Sequence, residues 1–425
     1  MQRMIMRALV GVLGAAILVA APSAGAAGNP MKLVGALNPW QDGQFSNVAA
    51  DASRKVAYLG SFDDQGVAVI DTTNAAAPML RKVLSTHITS EADTSDSADL
   101  DLVGRYLAVS HQVWSSDAGF EGISIYDTQP NPYNPTLLRR IEIAGGVHSV
   151  QLDPEVSGGR PYAYANSEGE GNFKMTIANI LTGAIVGSYA SPKGLGCLDA
   201  ECTQFSFAHE GWIQRHPDSG RVLDYVSYWD SGLRIVDVTD PAAPVEVGSF
   251  DYPSGSGNCC AHYAAPTPLG DWVYLEDEIG VGATGGVHVL DARACDGTSY
   301  CTPTEVGFWH IKGHKVQAGA INGRGWGAWH GVIQRFFTWD AHNLDVRGEN
   351  TLLVANYTMG IRLVDTSDKS DPVETSFYLP NANKSDACNQ ACFFQGRETW
   401  GAYFGSDGRI YASDFWLGFF IVNPS

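Results

Sequence analysis

Along most of the chain, apolar residues alternate with small or polar ones over short stretches and then give way to glycine, aspartate, asparagine or proline. This alternation predicts half-buried β-strands, because successive side chains on a strand point to opposite faces. No segment combines a long 3.6-residue period with capping residues, so little helix is expected. One phrase recurs: a glycine, a β-branched strand and an aspartate. Its copies run over 66–71, 122–127, 232–237, 286–291 and 360–365, with a degenerate end copy at 418–423. The glycine permits a left-handed entry into the strand. The aspartate side chain opens the next turn, which Asp240-Pro241 and Asp371-Pro372 continue.

Each phrase is preceded by another short apolar stretch, at 56–59, 106–109, 272–275 and 352–355, and by a further one before that. A last strand, such as 245–250, follows it. Four strands over roughly 40 to 60 residues is the pattern of a propeller blade. Seven units begin near Phe45, Ser97, His148, His209, His262, His342 and Trp400. The third is irregular, with residues 173–179 in place of the phrase, and the seventh runs out of chain after three strands. The segment 30–37 imitates 244–250 and can supply the missing strand. The expected fold is therefore an all-β, seven-bladed β-propeller, closed by pairing of an N-terminal strand with the last blade, which removes the open edges. A parallel β-helix is the alternative, but its coils are shorter than these units.

The stretch Gly232-Leu233-Arg234-Ile235-Val236-Asp237-Val238-Thr239-Asp240-Pro241 resembles the LVIVD repeat of secreted and surface propeller proteins of bacteria and archaea. The resemblance covers most of residues 30 to 425. It implies the fold and an exported location. It implies no chemistry, because propellers host unrelated functions.

Residues 1–26 read as a secretory signal peptide, with Arg3 and Arg7, an apolar run over 8–21 and the small residues Ala24-Gly25-Ala26. That run is short for a membrane span of about 20 residues. Residues 27–425 then form one propeller domain with loop insertions near 85–99 and 310–335, secreted or periplasmic. The balance of 27 Lys+Arg against 46 Asp+Glu gives a net charge of -19. Nucleic acid is not an expected partner, since phosphate binding needs clustered cations. No integral membrane contact is expected, and a monomer or weak oligomer is.

The eight cysteines suit an oxidising compartment. Cys197 with Cys202, Cys295 with Cys301, and Cys388 with Cys392 are local disulfide candidates. The adjacent Cys259 and Cys260 would form a vicinal bond or reach different partners. A cysteine metal site competes with this reading, although the spacings lack the paired CxxC of a zinc ribbon.

Four of the 11 histidines fall at one repeat position, the start of a unit's first strand: His148, His209, His262 and His342. In a propeller the first strands line the central channel, so these side chains would face a common axis. Ser46 and Ala98 hold the same slot in the first two units. Imidazoles suit iron, copper or zinc, and an open position would admit a substrate. In outline this resembles carotenoid-cleaving oxygenases and selenium-binding-type methanethiol oxidases, two histidine-lined seven-bladed groups. A structural role, with histidines knitting neighbouring blades, is the competing reading.

Second-strand ends open on the same face. Glu276 and Asp277, beside His262, are the candidates to orient ligands or move protons. Glu210, Glu168 and Asp414 would support the ligands. Glu210 follows His209 directly and is expected to point the other way, between blades. Asp63-Asp64 and Glu276-Asp277-Glu278 could bind calcium only as a structural ion. The acidic connection over 86–99 reads as a solvated loop or a cover for the channel mouth. The Trp-rich insertion after His310 could be a lid. His216 and His288 are expected at the surface or on strands. G-x-S-x-G and G-x-G-x-x-G motifs are missing, which removes support for α/β-hydrolase and Rossmann chemistry.

The functional expectation is an exported metalloenzyme with one transition metal, iron or copper favoured over zinc, on the four histidines. It would be an oxidoreductase or oxygenase acting on a small molecule. The alternatives are a metal-dependent lyase or hydrolase, and a noncatalytic propeller that binds a protein or polysaccharide.

Overall fold

The computed structural model describes residues 29–40, 43–62, 66–89, 95–113, 119–169, 172–198, 205–252, 260–278, 285–311, 341–357, 359–380 and 398–424. They form seven four-stranded antiparallel sheets, with one extra short pair at Gly196–Cys197 and Phe205–Ser206. The first strands of blades one to seven are Phe45–Asp51, Leu100–Val103, Ser149–Leu152, Ile213–Arg215, Ala261–Pro266, Ala341–Arg347 and Thr399–Phe404. The irregular third unit is a regular blade, because Met175–Asn179 pairs on both sides as its third strand. Closure is as expected: Lys32–Leu37 pairs antiparallel with Gly418–Asn423 and becomes the outer strand of blade seven. Just before it, Asn29–Pro30 pairs parallel with the outer strand of blade six, Val373–Tyr378. That second contact was not legible in the sequence. No helix of the described residues is long and apolar enough to cross a membrane.

The blades are joined at two radii. Near the axis, polar side chains of one first strand bind the backbone of the next. Asp99, Asp101 and Asp345 accept from the amides of Val150, Leu152 and Phe404 at 2.8, 2.7 and 2.7 Å. Ser149 Oγ donates to the His209 carbonyl at 2.5 Å. At the rim, every outer strand carries a bulge at one register, followed by Lys82, Arg139, Gly187, Gly248, Gly307, Ser376 or Gly35. The next blade's turn packs against that residue. A Cβ at Gly187, Gly307 or Gly35 would stand 2.1 Å from the carbonyl oxygen of Pro241, Lys369 or Ala75. Where the residue is long, it reaches the turn itself: Lys82 Nζ donates to Asn134 and Arg139 to the Leu181 carbonyl, at 2.7 and 2.8 Å. In blade six, Ser376 meets Asn29 of the closing segment. The repeat thus encodes contact between blades as well as within them.

The disulfide Cys295–Cys301 is present, with Cα atoms 5.4 Å apart, and it caps the outer strand of blade four through the Cys301 amide and the Val247 carbonyl at 2.9 Å. Cys260 is disulfide-bonded too. The side chain of Cys197, and Cys202, Cys259, Cys388 and Cys392, lie outside the described residues, as do Asp63-Asp64 and 312–340.

Burial raises the proton affinity of several carboxyls. It pushes Asp101 and Asp345 up to about 6, each opposed by the backbone amides it accepts. It pushes Asp224, fully buried in blade four, up to about 7 against the Trp212 amide.

Two outcomes follow. Gly187→Val should lower stability by about 1–3 kcal/mol, since neither the strand nor the Pro241 turn can retreat without breaking the rim contact. Unchanged thermal unfolding would show that the rim is loosely packed. The raised carboxyls bind protons more tightly folded than unfolded, so their stabilisation is complete below about pH 4 and is lost as pH rises toward about 7. Calorimetry should therefore show the unfolding temperature of Asp224→Asn falling less from pH 5 to pH 8 than that of the wild type. Equal slopes would remove Asp224 as a source of the decline.

Candidate metal centre

The four register histidines converge. Ring centroids of His148 and His209 are 4.4 Å apart, those of His209 and His262 4.1 Å, and those of His262 and His342 4.2 Å. The arc ends on Trp400, which holds the same register in blade seven, 4.0 Å from His342. Ser46 and Ala98 fill the slots of blades one and two, so the arc of large rings does not close. Several of these residues lie in irregular pairing: register shifts fall between Phe45 and Val48, Ala261 and Tyr263, Ala341 and Leu344, and Thr399 and Ala402. A bulge turns consecutive side chains out of strict alternation.

Two of the four rings are held by hydrogen bonds at Nδ1, and a third faces a carboxylate there. His148 Nδ1 donates to Gln112 Oε1 at 2.8 Å and lies 3.1 Å from Glu168 Oε1. Gln112 Nε2 donates to that same Glu168 oxygen at 2.7 Å. His262 Nδ1 lies 3.2 Å from Glu276 Oε2. His342 Nδ1 donates to the Trp400 carbonyl at 2.7 Å. Anchoring Nδ1 fixes the ring and leaves the Nε2 lone pair for other work. The fourth ring is held by stacking. Trp229, at φ +27°, lies 5.2 Å from His209 at 20°, with Phe207 stacked behind it. His209 Nδ1 is buried without a hydrogen-bond partner among the described residues.

The tier is mostly uncharged. Burial, then the neighbouring imidazoles, holds His209 and His262 well below the usual histidine value. Burial holds His342 down to about 3. His148 differs: burial opposes its charge, but Glu168, Asp99 and Glu278 together raise it. Neutral imidazole is the form that binds metals. Two overlapping groups have ligand atoms within 4.8 Å of one another: His148, Glu168 and His209, and His209, His262 and Glu278. His209 belongs to both.

The carboxylates sort differently from expectation. Glu168 stands beside His148. Glu276 and Glu278 flank His262, the latter 3.9 Å from its Nε2. Asp277, between them, points to the other side of its strand, where it accepts from Tyr252 and pairs with His288 Nε2 at 2.9 Å. It is therefore removed from the channel chemistry; His288 lies buried on the strand Val287–Asp291, and His216 is buried just after Ile213–Arg215. Asp414 is spent on its own blade, accepting from the amides of Glu398, Trp416 and Leu417. Glu210 belongs to neither ligand group. It bridges to Ser227 just before the strand proper and accepts from Asn343 of blade six across the channel at 3.3 Å. In the acidic connection, Asp96 and Asp99 are buried, while His87 is exposed.

Gln112, Glu278, Trp229 and Trp400 were not singled out as site residues from sequence. Strand alternation could have found Glu278, which shares a face with Glu276. Repeat register could have found Trp400.

An LVIVD repeat model matches residues 224–252. No curated protein matches the chain. Among solved structures it is similar to the C-terminal WD40 domain of Sif2, with TM-score 0.56 and 10% identity over 94% of this chain and 99% of that one. It is also similar to the WD40 β-propeller domain of Doa1, with TM-score 0.54 and 10% identity over 93% and 98%. At these identities the likeness concerns the fold. The class defined is a seven-bladed propeller that contains an LVIVD repeat and carries two histidine–glutamate groups able to hold a metal.

Proposed function

We propose that the chain holds one transition-metal ion among His148, His209, His262 and His342 and acts as an exported, metal-dependent oxidoreductase or oxygenase on a small molecule. The observation that carries this reading is the paired arrangement of the imidazoles: adjacent rings 4.1 to 4.4 Å apart, with Nδ1 of three occupied by an acceptor or facing a carboxylate. A purely structural histidine layer needs its ring nitrogens bonded to neighbouring blades. Here Nδ1 of both His209 and His262 has no hydrogen-bond partner among the described residues.

Bound iron or copper would supply Lewis acidity and a one-electron couple. The chain's own residues orient and shield. Gln112 and Glu168 hold the His148 ring, and the Trp400 carbonyl holds His342. Glu168 and Glu278 offer oxygen donors on either side of His209, and Tyr357 steadies Glu278 by donating to it. Trp229, Phe207 and Trp400 exclude water from the flanks of the histidines and lower the local dielectric.

Plasma mass spectrometry of the mature protein, purified without a histidine tag, should find about one iron, copper or zinc per chain, and His209→Ala/His262→Ala should lose it while staying folded. Absence of metal after anaerobic reconstitution with each ion would leave a binding propeller whose histidines only pack. Gln112→Leu should keep the stoichiometry but weaken affinity about 10–100-fold. Wild-type affinity in that variant would show that His148 needs no orienting partner.

A further inference from the structure

Below the histidines the channel widens into a cavity of about 640 Å³. It runs along the first strands from Asn47, Asp99 and Glu210 to Val103, Arg215 and Pro268 at their far ends. Its head is rich in oxygen. Asn47 donates to Asp99 at 2.6 Å, and Asn343 donates to Glu210 and to the Tyr403 hydroxyl at 3.3 and 2.9 Å. Tyr263, Tyr403 and Trp212 complete the wall.

The charge in this cavity is unbalanced. Asp99, Asp101, Glu155 and Glu210 line it, against Arg215 alone among Lys and Arg. Arg215 lies at the far end and is paired with Glu155. Among the described residues no Lys or Arg comes within ion-pair distance of Asp99, Asp101 or Glu210, although Glu210 is only 5% exposed. Backbone amides take part of Asp99 and Asp101. Among the described residues, the Glu210 side chain accepts only the long contact from Asn343. Burying a carboxyl with no Lys or Arg beside it disfavours its charged form, and a bound cation favours that form. The volume decides which kind. One water occupies roughly 30 Å³, so a lone inorganic ion would leave the chamber largely empty. Small organic ligands occupy sites of about 300–1,000 Å³.

We infer that this cavity is a binding site for a small organic cation, with its ammonium at Glu210 and Asp99 and its carbon skeleton along Trp212 and the apolar strand residues below. Tyrosine and tryptophan walls suit such a ligand. None of its lining residues belongs to the two histidine–glutamate groups above it.

Calorimetric titration of the full mature protein with n-butylammonium chloride, and separately with the isosteric 1-butanol, tests it. The ammonium should bind saturably, one per chain, and at least about tenfold more tightly than the alcohol. Glu210→Gln, nearly isosteric, should remove that preference. Ala50→Phe, which narrows the cavity without touching a carboxylate, should weaken both. Equal binding of alcohol and ammonium, indifference to both variants, or binding of calcium chloride in place of the ammonium would overturn the inference. Metal content measured on the same samples separates this outcome from failure of the metal reading.

Discussion

The lateral contact between neighbouring blades is the constraint on which the rest depends. A single blade of four short strands has two apolar faces and cannot cover them alone. Each must dock on the next, and the chain secures that docking at the axis through carboxylate-to-amide bonds and at the rim through bulges with glycine or a long cation. The two sets of contacts fix both the height and the rotation of each blade. Only then do residues far apart in sequence, such as His148 and His342, share one tier.

The same docking sets the electrostatics of the channel. Polar groups that knit first strands together are drawn to the axis, where they lose water. Asp99 serves the fold through the Val150 amide and also lies close enough to raise the basicity of His148. Structural and chemical roles are therefore not carried by separate residues. The aromatic flank follows the same economy: Trp400 closes the arc of rings and orients His342 through its own carbonyl.

Much of this was legible in the sequence, because the fold repeats. The Gly…Asp phrase gave the third strand of most blades, and the count of units and the closing strand followed from it. The histidine register was visible for the same reason. What escaped was the fine placement at strand ends: regular alternation turns Asp277 toward His288 and leaves Glu278 beside His262. Contacts made across the channel, such as that of Asn343 with Glu210, link blades four and six and have no trace in local pattern.

The closing strand also has a consequence in time. Lys32–Leu37 pairs with Gly418–Asn423, and Asn29–Pro30 with the outer strand of blade six. The first-made part of the ring thus has no partner until residues 373–378 and 418–423 have been made, and its contacts are among the most non-local in the ring. Such closure is slow and leaves an unpaired strand exposed meanwhile. A chain that stops short of the last blade loses more than that blade, because its own beginning is left with nowhere to go.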